Sequence, residues 1–337
     1  LLASLVIVVL LLVAAGLVIW STQFTVVPIR DEFQTALQKE ARYKMDWTGL
    51  QPLDRFLKIV HLIFTQYFLL ENLHYWFLEV WMMPCMALIF FQSIDFDRLS
   101  MKLVPLYMFF YQYIGIGICW PLAMIYYLYR RNAHSGRFQG GSNAARVVIV
   151  GFSSISSAII LAALPTLKRD GDLYFWFVNA FLLVPVVIPF LTFFVSSGTA
   201  QRSLPESARG QRYEALVYSF FAGISFLLYW RSVPSLIETY GFSIDGILAA
   251  VAALHSNPVQ HFLLFDCLAS AIVIVLFLLM DGGFLSTLSV LLAAPLISPG
   301  AAVSIFLLRR ESNIYGTSTG NWSTKISSAH VSEKKNK

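Results

Sequence analysis

The feature that most limits what this chain can become is its succession of apolar runs, most of them about as long as a lipid hydrocarbon core is thick. A core of about 30 Å takes about 20 apolar residues in helical form, and every backbone donor and acceptor inside it must find a partner within the protein. Such runs occupy Leu1–Trp20, Leu53–Leu70, Trp76–Gln92, Leu103–Tyr129, Val147–Leu167, Leu173–Val195, Tyr213–Trp230, Gln260–Met280 and Phe284–Leu308. They are too long and continuous for barrel strands. The expected fold is therefore all-α, a polytopic transmembrane helix bundle of about eight or nine spans. Composition agrees: 57% of the residues are hydrophobic, 13% are charged and the mean hydropathy is +0.67, whereas about a quarter of a soluble protein is charged.

Four regions follow from this pattern. Residues 1–20 read as an N-terminal transmembrane anchor, because a signal-peptide core would be shorter and lead to a small-residue cleavage site. Residues 21–52 read as an interfacial segment, with Phe33, Leu37 and Tyr43 interleaved among Glu32, Lys39, Glu40, Arg42 and Lys44, as in a helix lying on a membrane surface. Residues 53–308 form the bundle, and 309–337 form a disordered polar tail. Leu1 is not a methionine, so the chain reads as a piece whose N-terminus lies upstream.

Basic residues orient the bundle. Arg130, Arg131, Arg137 and Arg146 crowd one loop and Arg202, Arg209 and Arg212 another, which places both on the cytosolic side. The tail opens on Arg309-Arg310 and ends on Lys334-Lys335-Asn336-Lys337, a dilysine retrieval pattern that works on a cytosolic tail of an endoplasmic reticulum protein. Three spans between Arg212 and Arg309 would put that tail on the opposite side. Either the Gly241–Asn257 region or the segment broken by Pro295 and Pro299-Gly300 must change the count by one. The sequon Asn321-Trp322-Ser323 would be usable only in the lumen, and the dilysine pattern outweighs it.

The net charge of +5 lies in short loops and the tail, with no basic stripe to track a phosphate backbone, so nucleic acid is not an expected partner. Cys85, Cys119 and Cys267 lie far apart in apolar runs without a CxxC pair and read as buried hydrophobes. No HExxH, GxSxG, Walker or DDxxD sequence is present. No metal site and no cofactor are expected.

An ionisable group deep in a membrane helix costs about 2.5–3.5 kcal/mol on insertion scales, so each one needs a reason. Asp266 stands out within Phe262-Leu263-Leu264-Phe265-Asp266. A desolvated carboxyl favours its neutral form, and a neutral carboxylic acid can serve as a general acid; the plainer role is a hydrogen bond between helices. Asp54, Lys58 and His61, spaced by four and three, share a helical face, with Asp54 and Lys58 positioned for an interfacial ion pair. Glu79 lies among Trp76, Phe77 and Trp81. Gln112 and Asn179 are neutral groups suited to linking helices. Aromatic residues make up 15% of the chain; they pack a core or line a cavity where their faces attract a cation. Gly115 and Gly117 allow close approach to a neighbour, and Pro121 removes a backbone bond.

Three strings carry a resemblance. Pro52-Leu53-Asp54-Arg55-Phe56, Tyr111-Gln112-Tyr113-Ile114-Gly115-Ile116-Gly117 followed by Trp120-Pro121-Leu122, and Phe262-Leu263-Leu264-Phe265-Asp266 resemble a pattern in fungal integral membrane proteins. That group includes membrane-bound terpene cyclases of meroterpenoid pathways of the ascofuranone and ascochlorin type. This chain departs from it at Ala123, where the group tends to have tyrosine. The resemblance implies a metal-independent isomerase that protonates an epoxidised or olefinic prenyl chain carried by an aromatic unit. It also implies an acid at Asp266, a partner or base at Asp54 or Glu79, and a pocket drawing on Gln112, Tyr113, Trp120, Trp76 and His261. The expected partners are the lipid bilayer and a hydrophobic prenylated substrate. The competing expectation is a non-catalytic membrane protein that binds or carries a lipid-like small molecule, and a third is a scaffold without a cavity.

Overall fold

The computed structural model of the chain describes residues 2–22, 47–67, 82–98, 104–113, 115–133, 143–168, 171–195, 204–255 and 258–312, with isolated positions between 30 and 38. Among the described residues there are helices and no strand. In order they are α1 (Leu2–Thr22), α2 (Gln51–Tyr67), α3 (Met83–Arg98), α4 (Val104–Tyr113), α5 (Ile116–Ala133), α6 (Ala144–Ala163), α7 (Asp172–Phe190), α8 (Leu204–Tyr240) and α9 (Ile244–His255). The helix Pro258–Ile297 is interrupted at Gly283, φ 73° and ψ 177°, which separates α10 (258–282) from α11 (284–297). A last helix, α12, covers 299–312.

Five stretches are long and apolar enough to cross a bilayer: Leu5–Thr22, Ala144–Thr166, Asp172–Phe193, Arg209–Tyr240 and His261–Ile297. Their outward faces carry large exposed apolar side chains such as Val13, Phe152, Trp176, Leu227 and Leu268. A soluble surface does not present apolar area on that scale, and a lipid-facing one does. The chain is an integral membrane protein. α1 is more than an anchor: its buried stripe of Leu11, Ala14, Ala15 and Val18 follows helical spacing and packs on α5 and α10.

Two expected spans are hairpins instead. The Leu103–Tyr129 run breaks at Gly115, φ 110°, a left-handed conformation that glycine adopts without a Cβ penalty. Cys119 Sγ then lies 3.5 Å from the Phe110 carbonyl, whereas nine residues of straight helix would separate them by about 13.5 Å. α4 and α5 therefore run side by side in opposite directions. The second hairpin follows Gly283. Gly300 packs against Met83 and Ser225, Phe306 meets Phe277, and Arg310 bonds Asp281. Phe91 in turn meets both Phe277 and Arg310. α12 thus runs parallel to α10 and α3, with α11 returning between, and the chain reverses at Gly283 and again at Ser298 (φ 97°). The Leu53–Leu70 run becomes the amphipathic α2, which is not among the five membrane-length stretches. With the described part of the Trp76–Gln92 run, which belongs to the shorter apolar helix Met83–Ile94, these segments account for the difference between the nine apolar runs and the five membrane-length stretches.

The hairpin of α11 and α12 also accounts for the parity conflict. α8 runs against α3, with Tyr218 on Phe90 and Ser225 beside Gly300 near Met83, so the Arg209–Arg212 end of α8 lies at the same end of the bundle as Asp281 and Arg310. Arg146, at the head of α6, donates to the carbonyls of Thr192 and Val195 beyond α7. Asn143 caps α6 through Oδ1, accepting from the Ala145 and Arg146 N–H groups. A second hairpin that leaves and returns at one end adds no crossing.

The Arg310–Asp281 pair, with Glu311 on the other side of the guanidinium, closes the second hairpin; the Arg310 and Asp281 side chains are only 8% and 5% exposed. Breaking a buried pair leaves one charge uncompensated, a loss of about 3–5 kcal/mol. Arg310→Gln should lower the melting temperature of the detergent-solubilised protein by several degrees. An unchanged melt would mean that apolar packing alone holds the hairpin.

Candidate functional site

The site is built where helices stop inside the bundle. α7 carries Pro185, which has no N–H to offer the Phe181 carbonyl one turn earlier. Gln112, near the tip of the first hairpin, supplies the missing donor from Nε2 at 3.2 Å, and the Tyr113 hydroxyl donates to the adjacent Leu182 carbonyl at 3.0 Å. On the other side of the tip, the first turn of α5 has N–H groups with no helical acceptor. The Asp266 carboxylate on α10 accepts one of them, from Gly117 N, at 2.5 Å. Space for this contact exists because residue 117 is glycine: a Cβ there would sit 2.5 Å from Asp266 Oδ1 and 2.9 Å from Val18. α1, α5 and α10 meet at that point.

Beside this junction lies a cavity of about 240 Å³. Asp266, Gln112 and Tyr113 line it together with Tyr111, Phe181 and Phe262, while Met82, Met86, Ile89 and Met108 close its apolar wall and Ser154 and Ser157 add hydroxyls. Asp266 is 3% exposed. Among the described residues its Oδ1 has the Gly117 donor and its Oδ2 has none. The carboxyl is thus held at one oxygen and available at the other, within aromatic walls.

The remaining candidates go elsewhere. Trp120 is fully buried and donates through Nε1 to Gln92 Oε1 at 2.6 Å; it does not line the cavity, because the Gly115 break turns α5 so that the indole faces α3. The neighbour of His261, Phe262, lines the cavity instead, and the His261 ring packs on Phe265. Asp54 is not a partner of Asp266. Its oxygens accept from Thr48 Oγ1 at 2.6 Å, Thr48 N at 2.7 Å and Trp47 N at 3.2 Å, fastening the turn that precedes α2. The Thr48 hydroxyl first, then the Thr48 and Trp47 N–H groups and the charge of Lys58, hold this carboxyl below its ordinary pKa against the effect of burial. The Asp54–Lys58 ion pair does not form among the described residues. Asn179 bonds its own turn at the Phe175 carbonyl. Glu79 and Trp76 lie outside the described residues.

Residues not singled out from sequence matter as much. Gln92 is a buried hub that also accepts from the Tyr111 hydroxyl at 3.2 Å, fixing a cavity wall. A glutamine, and serines at 153, 154 and 157, within apolar runs were the available signals. No family model, curated protein or solved structure matches this chain. Among the described residues no three His, Cys, Asp or Glu side chains gather as a metal ion would need.

Gly117→Ala forces Val18 and Asp266 apart. Overpacking of this kind costs about 1–3 kcal/mol, so the variant should melt earlier than wild type, while Gly223→Ala, where an added Cβ meets nothing within 4 Å, should not. Equal melts for both would remove Gly117 as the contact point.

Proposed function

We propose that this protein is a membrane-embedded isomerase of the terpene-cyclase kind, in which Asp266 protonates an epoxidised or olefinic prenyl chain held in the cavity. The observation that carries the reading is a lone carboxyl, tethered through one oxygen, facing an apolar space walled by Tyr111, Tyr113, Phe181 and Phe262. The proton on Oδ2 goes to the epoxide oxygen as its carbon–oxygen bond opens. A neighbouring double bond supplies the electron pair for the ring bond, and the cation passes along the chain. Loss of a carbon-bound proton ends the sequence, so product and substrate are isomers. Among the lining groups the Asp266 carboxylate is the base that accepts this proton, which restores its acid form for the next cycle.

The tether favours this direction of transfer. When Asp266 gives up its proton, the negative charge forms against the Gly117 N–H and the positive end of α5, and both interactions strengthen with charge. Aromatic faces stabilise a cation by about 2 kcal/mol where water is excluded. The surrounding bilayer and the largely apolar lining limit the water that could trap it.

A second reading, a non-catalytic protein that binds or carries a lipid-like small molecule, draws on the engagement of Gln112 and Tyr113 in helix contacts, which leaves one carboxyl as the chief reactive group. For orientation, the bundle end that gathers Arg146, Arg209, Arg212 and Arg310 is the cytosolic end by the positive-inside rule. The dilysine ending then lies in the cytosol, consistent with an endoplasmic reticulum protein.

Asp266→Asn keeps an oxygen to accept from Gly117 and removes the acidic proton. In microsomes fed an epoxyprenyl arene, the variant should lose cyclisation by about 100-fold or more while melting near wild type. Undiminished turnover would sink the assignment, and binding without turnover in the wild type would favour the carrier.

A further inference from the structure

Lys58 is an anomaly of the fold. It sits on the α2 face shared with Asp54 and His61 and is 6% exposed, yet among the described residues its ammonium has no hydrogen-bond acceptor and no ion-pair partner. Asp54, the acid on that face, feels the Lys58 charge only weakly, because its oxygens are turned toward Trp47 and Thr48. What Lys58 has is the Trp47 ring, with Nζ 6.0 Å from the centroid, at the outer limit of a useful cation–π contact. Trp47 is packed against His61 and Phe175, with ring centroids 5.6 Å and 5.3 Å away. An ammonium carries three donors and no acceptor, and a buried charge is normally paired.

We propose that Lys58 receives the anionic head, a carboxylate or phosphate, of an amphipathic ligand whose apolar chain enters the cavity. The same helix connects the two places. The Phe56 ring packs against Tyr113, tilted by 55° with centroids 5.5 Å apart, and Val60 and Tyr113 both line the cavity. A head on the Lys58 face and a chain on the Val60 face would wrap α2, with the Trp47 indole beside the head. The proposal deepens the preceding reading by giving the apolar ligand an acidic end, and its test involves no turnover.

The experiment measures binding of dodecyl phosphate and of dodecanol to the purified protein in phosphatidylcholine nanodiscs at pH 8, corrected for empty nanodiscs. The wild type should hold the phosphate at least about tenfold tighter than the alcohol. Lys58→Gln should abolish the preference and Lys58→Arg should retain it, with melts recorded for each variant to confirm folding. Equal binding of acid and alcohol by the wild type overturns the proposal, as does a folded Lys58→Gln that keeps the preference. Displacement of dodecyl phosphate by millimolar inorganic phosphate would show a site for a free anion, and the chain-borne head would be wrong.

Discussion

Helices that end inside a bilayer leave backbone donors and acceptors that no water can satisfy, and this bundle is organised around supplying their partners. Gln112 serves the carbonyl freed by Pro185. Asp266 serves a first-turn N–H of α5. At the tip of the second hairpin, Pro299 has no N–H for the Pro295 carbonyl, and the Tyr229 hydroxyl donates instead while Trp230 Nε1 donates to the Leu296 carbonyl. Ser298 caps the next helix, its Oγ accepting from Ala301 N. Lipid offers no hydrophobic drive for helix association. Interhelical bonds of this kind, with close packing, are what hold such breaks in place.

The same constraint locates the site. A helix start in a dry interior presents N–H groups and a positive end, and that is where a carboxyl is tolerated. Asp266 therefore has a structural duty toward Gly117 and a chemical opportunity toward the cavity, and the two use different oxygens. Its position is braced by α1, which brings Val18 against the glycine that leaves it room. Gln92, away from the cavity, orders Tyr111 and Trp120 together and so sets the shape of an aromatic wall.

Charge is sorted along the bundle as well. Arg146 satisfies carbonyls beyond α7, Arg310 closes the second hairpin on Asp281, and the basic start of α8 lies at that same end. Arg146 meets the carbonyl end of a helix and Arg310 a carboxylate, which is where a positive charge at a membrane boundary is least costly. Lys58 has Asp54 within electrostatic reach but makes no hydrogen bond or ion pair among the described residues, and that contrast makes it informative.

Sequence alone determined the solvent and the class of fold, because the apolar runs leave helices as the only way to satisfy backbone groups in lipid. It also picked out Asp266, Gln112 and Tyr113, since polar residues in apolar runs carry an energetic cost that needs a reason. The tertiary structure decided which runs cross and which fold back. A run of apolar residues is compatible with either, and the choice turns on Gly115, Gly283 and Ser298 adopting positive φ, which composition does not show. It decided, too, that Asp54 belongs to a turn and Trp120 to a buried hub, because the direction a side chain takes is set by where its helix is interrupted and by what packs against it.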